Sequence, residues 1–252
     1  MMIKGLQDLK KTFDRLDSKD IYVGSLTAKH LQHFMMIDLL ERGVACIPFC
    51  LSQLLSGYKT AQALVLKQWM HPLTRVITRR IELLHTISLY NKNEVGNVVT
   101  KEDQKDCGHG IRLWDNIENL YSVLGLEESS YPFVLQPLIQ NFTDVRAIIV
   151  GDYKEAYTRE NPYNFRCNIS AGGKSRAYEL SSEEIDFCEK IMTRGKFIYA
   201  HIDLMVLDNG IIYLSEIALN GGLKGAKADR QGLDQKKERL LEKTALELRG
   251  TT

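Results

Sequence analysis

The chain of 252 residues is 44% hydrophobic and 26% charged, which suffices for one large domain or two to three small lobes sharing a core. A formal net charge of +1 supplies no global field for nucleic acid or an anionic membrane. No apolar run approaches membrane-spanning length and the start lacks the apolar core of a secretion signal, so a cytoplasmic protein without membrane or nucleic-acid partner is expected.

In chain order, Leu6, Leu9, Phe13 and Leu16 recur at helical spacing over 4–17. A short apolar strand follows at 20–25. Thr27 is placed to cap a helix through Arg42 with Leu31, Phe34, Met35 and Leu39 on its stripe, Gly43 ends it, and 44–48 forms a second strand. This predicts one parallel βαβ unit, without a G-x-G-x-x-G after its first strand. It reads as a truncated accessory lobe over 1–56, in which His30 and His33 are surface or core residues rather than ligands. The five cysteines (46, 50, 107, 167 and 188) are odd in number and scattered without a C-x-x-C pair, which argues against a disulfide framework or a structural zinc.

From Lys59 a helix runs to Met70, stopped by Pro72. Strands are predicted at 74–78, 95–101 and 111–114, and helices from Glu82 and from Asp115 to about Leu124. The strand ending at Lys101 opens into a polar loop, 102–110, with Gly108 and Gly110. Glycines let backbone N–H groups converge on an anion, yet most such hairpin loops bind nothing. Residues 133–139 form a strand in which Pro137 removes a donor and leaves Gln136 and Leu138 free for other partners. A hairpin is predicted around 151–152, and Ser181 with Glu184 makes a capping box for a helix to about Thr193. The segment 234–249 carries leucines at helical spacing.

Two stretches hold most of the chemistry. One is the basic loop Phe165-Arg-Cys-Asn-Ile-Ser-Ala-Gly-Gly-Lys174, near Arg159 and Arg176. The other is a hairpin, 201–206 and 211–216, turning at Asp208 to Gly210 and followed by Asn220, Gly221 and Gly222. Asp203 and Glu216 fall on adjacent strands. Held close they repel unless a cation or a proton is shared; turned outward they are ordinary surface acids. Arg146 and Arg159 have a plain alternative as well, pairing at the surface with Glu155 or Glu160. His201 reads as a packing residue rather than a base, and Cys107 and Cys167 as unactivated thiols.

Taken together, these pieces resemble the ATP-grasp ligases, in the branch of glutathione synthetase and the ribosomal-protein glutamate ligases. The resemblance spans about Ser56 to Ala226. It rests on the order of Lys59, Lys101, the Gly-x-Gly-Ile loop, Gln136 to Ile139, Asp144 with Arg146, Phe165 to Asn168, His201 with Asp203, and Glu216. It implies an α/β (α+β) ATP-grasp fold: two α+β lobes gripping a nucleotide, a small lobe over 57–132 and a large one over 133–252. It also implies ATP- and magnesium- or manganese-dependent joining of a carboxylate to an amine through an acyl phosphate.

Residue by residue, the resemblance assigns Lys59 and Lys101 to the phosphates and loop 102–110, with Gly108 and Gly110, to a lid. Gln136 and Leu138 fall at the adenine edge and Asp144 near the ribose. Arg146, Arg159 and Arg166 face the transferring phosphate, and Asp203, Glu216 and Asn220 the metal. Asn168, Lys174 and Lys224 are the substrate candidates. Two positions depart from the pattern: Ala218 stands where an asparagine ligand is usual, and Glu102 where proline is frequent. The first leaves open a nucleotide-binding module without turnover; a phosphotransferase with a non-carboxylate acceptor is a third reading. The small first lobe implies a large acid- or amine-bearing partner, or a homodimer that completes the site.

Overall fold

A computed structural model describes residues 1–26, 30–105, 109–165 and 172–250, with the backbone alone of His30. Its strands form three sheets. The N-terminal sheet is parallel, β1 (Met2–Lys4), β2 (Ile21–Val23) and β3 (Ala45–Ile47) in that order, crossed by α1 (Leu6–Thr12) and α2 (His30–Glu41). The expected βαβ unit is present, extended by β1. That strand is three residues long and directly precedes α1, too short for alternation to reveal it.

The second sheet is antiparallel in the order β4 (Arg75–Ile77), β7 (Phe133–Pro137), β5 (Val98–Glu102), β6 (Ile111–Trp114). Strand β7, expected to open the large lobe, pairs instead with β4 and β5 of this sheet. Ile77, Leu83, Val98, Ile117, Leu120, Phe133 and Leu135 form its core beneath α5 (Arg80–Lys92) and α6 (Ile117–Leu124). Asn116, not Asp115, caps α6, its Oδ1 accepting from Asn119 N at 2.8 Å.

The third sheet, also antiparallel, orders β10 (Lys174–Tyr178), β9 (Tyr153–Glu160), β8 (Phe142–Val150), β11 (Tyr199–Leu207) and β12 (Ile212–Ala218). Residues 145 and 147–150 of β8 are fully covered, as a central strand requires. The largest core packs this sheet against α7 (Ser182–Gly195) and against α3 (Cys50–Gly57) with α4 (Lys59–Val65). The capping box of α7 forms as expected: Ser181 Oγ accepts from Glu184 N at 3.2 Å, and Glu184 Oε2 from Ser181 N at 2.7 Å. The last helix, α8 (Arg230–Gly250), starts four residues before the sequence expectation and packs across both β2 and β8.

The helix expected from Lys59 to Met70 ends as α4 at Val65, and α3 ahead of it was not expected. The two break at Tyr58, whose extended backbone ends one helix and begins the next. This break positions the lobes. Gln62 of α4 donates to Ile217 O at 2.9 Å and accepts from Ile217 N at 3.1 Å, so one amide satisfies the outer edge of β12. Ser56 Oγ accepts from Leu219 N at 2.9 Å. On the other side, Asp103 at the exit of β5 accepts from Thr60 N at 2.9 Å and from Thr60 Oγ1 at 2.6 Å. The α3–α4 junction thus ties the two sheets together. Among the described residues no helix is long and apolar enough to cross a membrane.

Candidate active site

Between the second and third sheets lies a cavity of about 1410 Å³, walled by Lys101, Gln136 and Leu138 on one side and by Asp144, Arg146, Arg159, Asp203 and Glu216 on the other. It exceeds the roughly 300–1,000 Å³ of a single small-molecule site. Ser25, Leu26 and Gln53 extend its wall into the N-terminal lobe.

Strand alternation explains the floor. Residues 144 and 146 on β8 point to one face, as do 157 and 159 on β9 and 201, 203 and 205 on β11. Register then sets Arg146 beside Asp203 and Tyr157, and Asp144 beside Arg159. Arg146 grips Asp203 with two parallel hydrogen bonds of 2.7 Å, Nε to Oδ1 and Nη2 to Oδ2. Arg159 donates from Nη2 to Asp144 Oδ1 at 2.6 Å and lies 3.0 Å from Asp203 Oδ2. The surface pairing with Glu155 or Glu160 is not what these arginines do. Burial would push Asp203's carboxyl up, but Arg146 and Arg159 hold it well below the usual range. Asp144 goes the other way, raised by burial and by the Asp203 charge against the pull of Arg159.

The wall beside this floor depends on an irregularity in β12. Asp203 pairs with Glu216, but Leu204 pairs with Leu214, so Ser215 has no opposite number. This bulge sets Glu216 beside Asp203 and turns Ser215 toward Lys101, whose Nζ reaches Ser215 O at 3.2 Å and Oγ at 3.3 Å. Burial lowers the Lys101 pKa, opposed by Glu216. Lys59 donates to Lys105 O at 2.8 Å and stands 3.3 Å from Glu216 Oε1. Both lysines therefore converge on the Glu216 side of the cavity.

Several other candidates sit differently from the sequence expectation. Leu138 lines the cavity, but its N–H is not free; it donates to Asn97 O at 2.9 Å. Gln136 is held in the β5–β7 ladder opposite Val99. The Gly110 carbonyl accepts from Glu102 N at 2.9 Å, closing the base of the 102–110 loop. Lys174 is exposed at the start of β10, opposite Glu160, away from the cavity wall. Lys224 lines the cavity. Gly108, Arg166 and Asn168, with Cys107 and Cys167, lie outside the described residues.

A hard cation bound with a nucleotide needs one or two protein carboxylates plus phosphate oxygens. Among the described residues no cluster of three acidic, histidine or cysteine groups could cage a metal by itself, so the paired Asp203 and Glu216 are the protein's donor set. They fit that shared role unequally. Glu216, with its side chain 31% exposed, is the open carboxylate, while Asp203, at 12%, already serves two arginines. Asn220 does not stand ready as a third ligand. Its Oδ1 accepts from the buried Lys237 ammonium at 2.8 Å, and Lys237 also donates to Leu219 O at 3.0 Å. A second cation at that oxygen would face an ammonium, so the structure gives Asn220 to Lys237.

Sequence reasoning missed Lys237, Ser215, Tyr157 and Asp103. Tyr157 was within reach, since alternation from Arg159 puts it on the cavity face, where its hydroxyl donates to Gly222 O at 3.2 Å. Lys237 carried no signal: seen in sequence, it is one more lysine on a charged helix.

The family of RimK-like ATP-grasp domains matches residues 56–240, and the chain belongs to it. No curated protein sequence matches the chain. Similar solved structures include a D-alanine–D-alanine ligase from Bacillus anthracis, at TM-score 0.63 and 17% identity, covering 98% of this chain and 86% of that one. A RiPP-associated ATP-grasp ligase from Chryseobacterium gregarium, solved with ADP and a leader and core peptide, gives TM-score 0.59 and 16% identity over 85% of this chain and 68% of that one. The macrocyclase MdnC from Microcystis aeruginosa, bound with its precursor peptide, gives 0.56 and 13% over 92% and 80%. At these identities the likeness shows the ATP-grasp fold.

Proposed function

We propose that the protein is an ADP-forming carboxylate–amine ligase using ATP and magnesium. The observation that carries this reading is the convergence of Lys101, Arg146, Arg159, Asp203 and Glu216 on one inter-lobe cavity, with Lys59 paired to Glu216, in a RimK-like chain. In such a reaction the acid's oxygen attacks the γ-phosphorus as the bond to ADP breaks. The amine then attacks the acyl carbon, phosphate leaves, and the amine's proton passes to water.

The chain's own contribution is positioning and charge. Lys101 and Lys59, fixed by Ser215 and by Lys105 O, offer positive charge to the phosphates from the small-lobe side. Arg146 and Arg159 cross-brace the floor, so their charge is already in place as negative charge builds on the transferring group. Glu216, with Asp203 behind it, would hold magnesium, which would supply further positive charge to the phosphates. A cavity that reaches the N-terminal lobe suits an acid or amine carried on a peptide as well as a small one. The peptide complexes among the similar structures support that breadth.

Calorimetric titration of ATP with and without magnesium, into wild type and Glu216→Ala, tests the site. Binding with a strong magnesium dependence that the variant loses is expected. ADP release that requires both an acid and an amine then establishes ligation. Tight binding without ADP under any acid–amine pair would instead favour a nucleotide-binding module, the outcome that Ala218 and the engaged Asn220 leave as the second reading.

A further inference from the structure

A magnesium or manganese ion beside a nucleotide takes hard oxygen ligands from the protein: carboxylate, amide or backbone carbonyl. Around Glu216 such oxygens are plentiful, and most of those described already face a fixed positive group. Both oxygens of Asp203 accept from Arg146, and Arg159 lies 3.0 Å from one of them. Lys101 reaches Ser215 O and Oγ. Gly221 O accepts from Arg230 Nη2 at 2.8 Å, and Gly222 O from Arg146 Nη1 at 3.4 Å and from the Tyr157 hydroxyl. The carbonyl of Ile217 is taken by the Gln62 amide. Ala218, the next residue on the Glu216 face of β12, brings no side-chain oxygen.

The remaining pair, Leu219 O and Asn220 Oδ1, belongs to Lys237. Both residues line the cavity, so these are oxygens that a second ion at the wall could reach. The Lys237 ammonium holds them at 3.0 and 2.8 Å and stands 4.9 Å from the centre of the Tyr199 ring. Lys237 is 5% exposed, and Leu233, one turn before it on α8, is fully buried in the largest core. The ammonium is therefore held on three sides and has no route to solvent while α8 stays packed. A divalent ion placed on either oxygen would meet that charge at close range, away from bulk water, where like charges repel most strongly.

We propose that the wall takes one divalent cation per nucleotide, at Glu216, and that the Lys237 ammonium closes the place of a second. The inference rests on the metal–nucleotide site of the ligase reading and deepens it. Lys237 is a positioning residue: it withholds the Asn220 amide oxygen and the Leu219 carbonyl from the metal.

Manganese is the probe, because its free ion gives a sharp paramagnetic resonance spectrum that broadens away on binding. The full chain is loaded with one equivalent of a non-hydrolysable ATP analogue at about pH 7, below the Lys237 pKa of about 8, and titrated with manganese. Wild type should bind one ion per complex. Lys237→Met, which keeps an apolar stem and removes the charge, should bind two. Asn220→Ala alone should leave the count at one and the affinity within about twofold, the scatter of sites that do not interact. Added to Lys237→Met, it should remove the second ion.

Two ions in wild type overturn the proposal, and so does a tenfold or larger loss of manganese affinity in Asn220→Ala, which would make the amide a ligand. A Lys237→Met chain that binds the analogue and still takes one ion overturns the role given to Lys237. Should that variant lose its thermal transition, the wild-type count and Asn220→Ala decide. The ligase reading is separable, since the count needs no turnover. One ion in a chain that releases no ADP with any acid and amine refutes ligation and leaves this proposal standing. Two ions in a chain that ligates do the reverse, and failure to bind the analogue at all removes both.

Discussion

The floor and the end wall of the cavity are built on neighbouring strands yet solve opposite problems. On the floor, every charge of Asp144, Arg146, Arg159 and Asp203 is met within the protein. Such a network is rigid, but it has few free valences left for a ligand. At the wall, among the described residues, the His201 ring nitrogens have no hydrogen-bond partner and Glu216 pairs with Lys59 alone. The floor's polar groups are spent largely on one another, while the wall keeps open groups.

Breaking the floor should produce the largest effect. Asp203→Asn leaves two buried guanidiniums short of a counter-charge and is expected to cost about 3–5 kcal/mol, read as a lowered denaturant midpoint. Glu216→Gln should leave that midpoint within about 1 kcal/mol while removing the magnesium dependence of nucleotide binding. Equal destabilisation by the two would erase the distinction between floor and wall.

Lys237 gives the next effect, and it is a pH effect. Burial lowers its pKa to about 8 from 10.5. Between those values the unfolded chain holds a proton that the folded chain has released, so stability rises with pH across that window, by at most about 3 kcal/mol. The penalty is present in full below pH 8. Thermal melts should show this rise in wild type and a flatter profile in Lys237→Met; parallel profiles would place the ammonium in solvent.

Asp103→Ala removes the acceptor that ties the β5 exit to the start of α4. The cost expected by chemical denaturation is about 1 kcal/mol, the worth of a helix N-terminal cap. At the bottom of the scale, Arg176→Ala on the exposed outer strand loosens a 4.0 Å pair with Glu160 and should change stability by less than about 0.5 kcal/mol. A larger loss there would mean that β10 is held by more than its ladder.

Much of the site was legible because strand period and spacing are local. The hairpin with its turn at Gly210 (φ +82°), the capping box of α7 and the order of Lys101, Asp144, Arg146, Asp203 and Glu216 follow from residue types a few positions apart. What each side chain bonds to did not follow. Arg146 and Arg159 had acidic neighbours in sequence at 155 and 160; Arg146 pairs instead with Asp203 because β11 docks beside β8, 57 residues on, and Arg159 with Asp144 through the register of β8 with β9. Leu138 looked free because Pro137 removes a donor, until Asn97 from another connection took its N–H.

By itself the sequence determined the first βαβ unit, the hairpin that carries Asp203 and Glu216, the capping box of α7, and the family to which residues 56–240 belong. Tertiary structure alone decided the single-residue bulge at Ser215, the capture of Asn220 by Lys237, the pairing of β7 with β4 and β5 and the empty valences of His201. Each of these is set by register and by partners distant in the chain. A one-residue shift between strands changes which groups face one another while leaving every local preference satisfied.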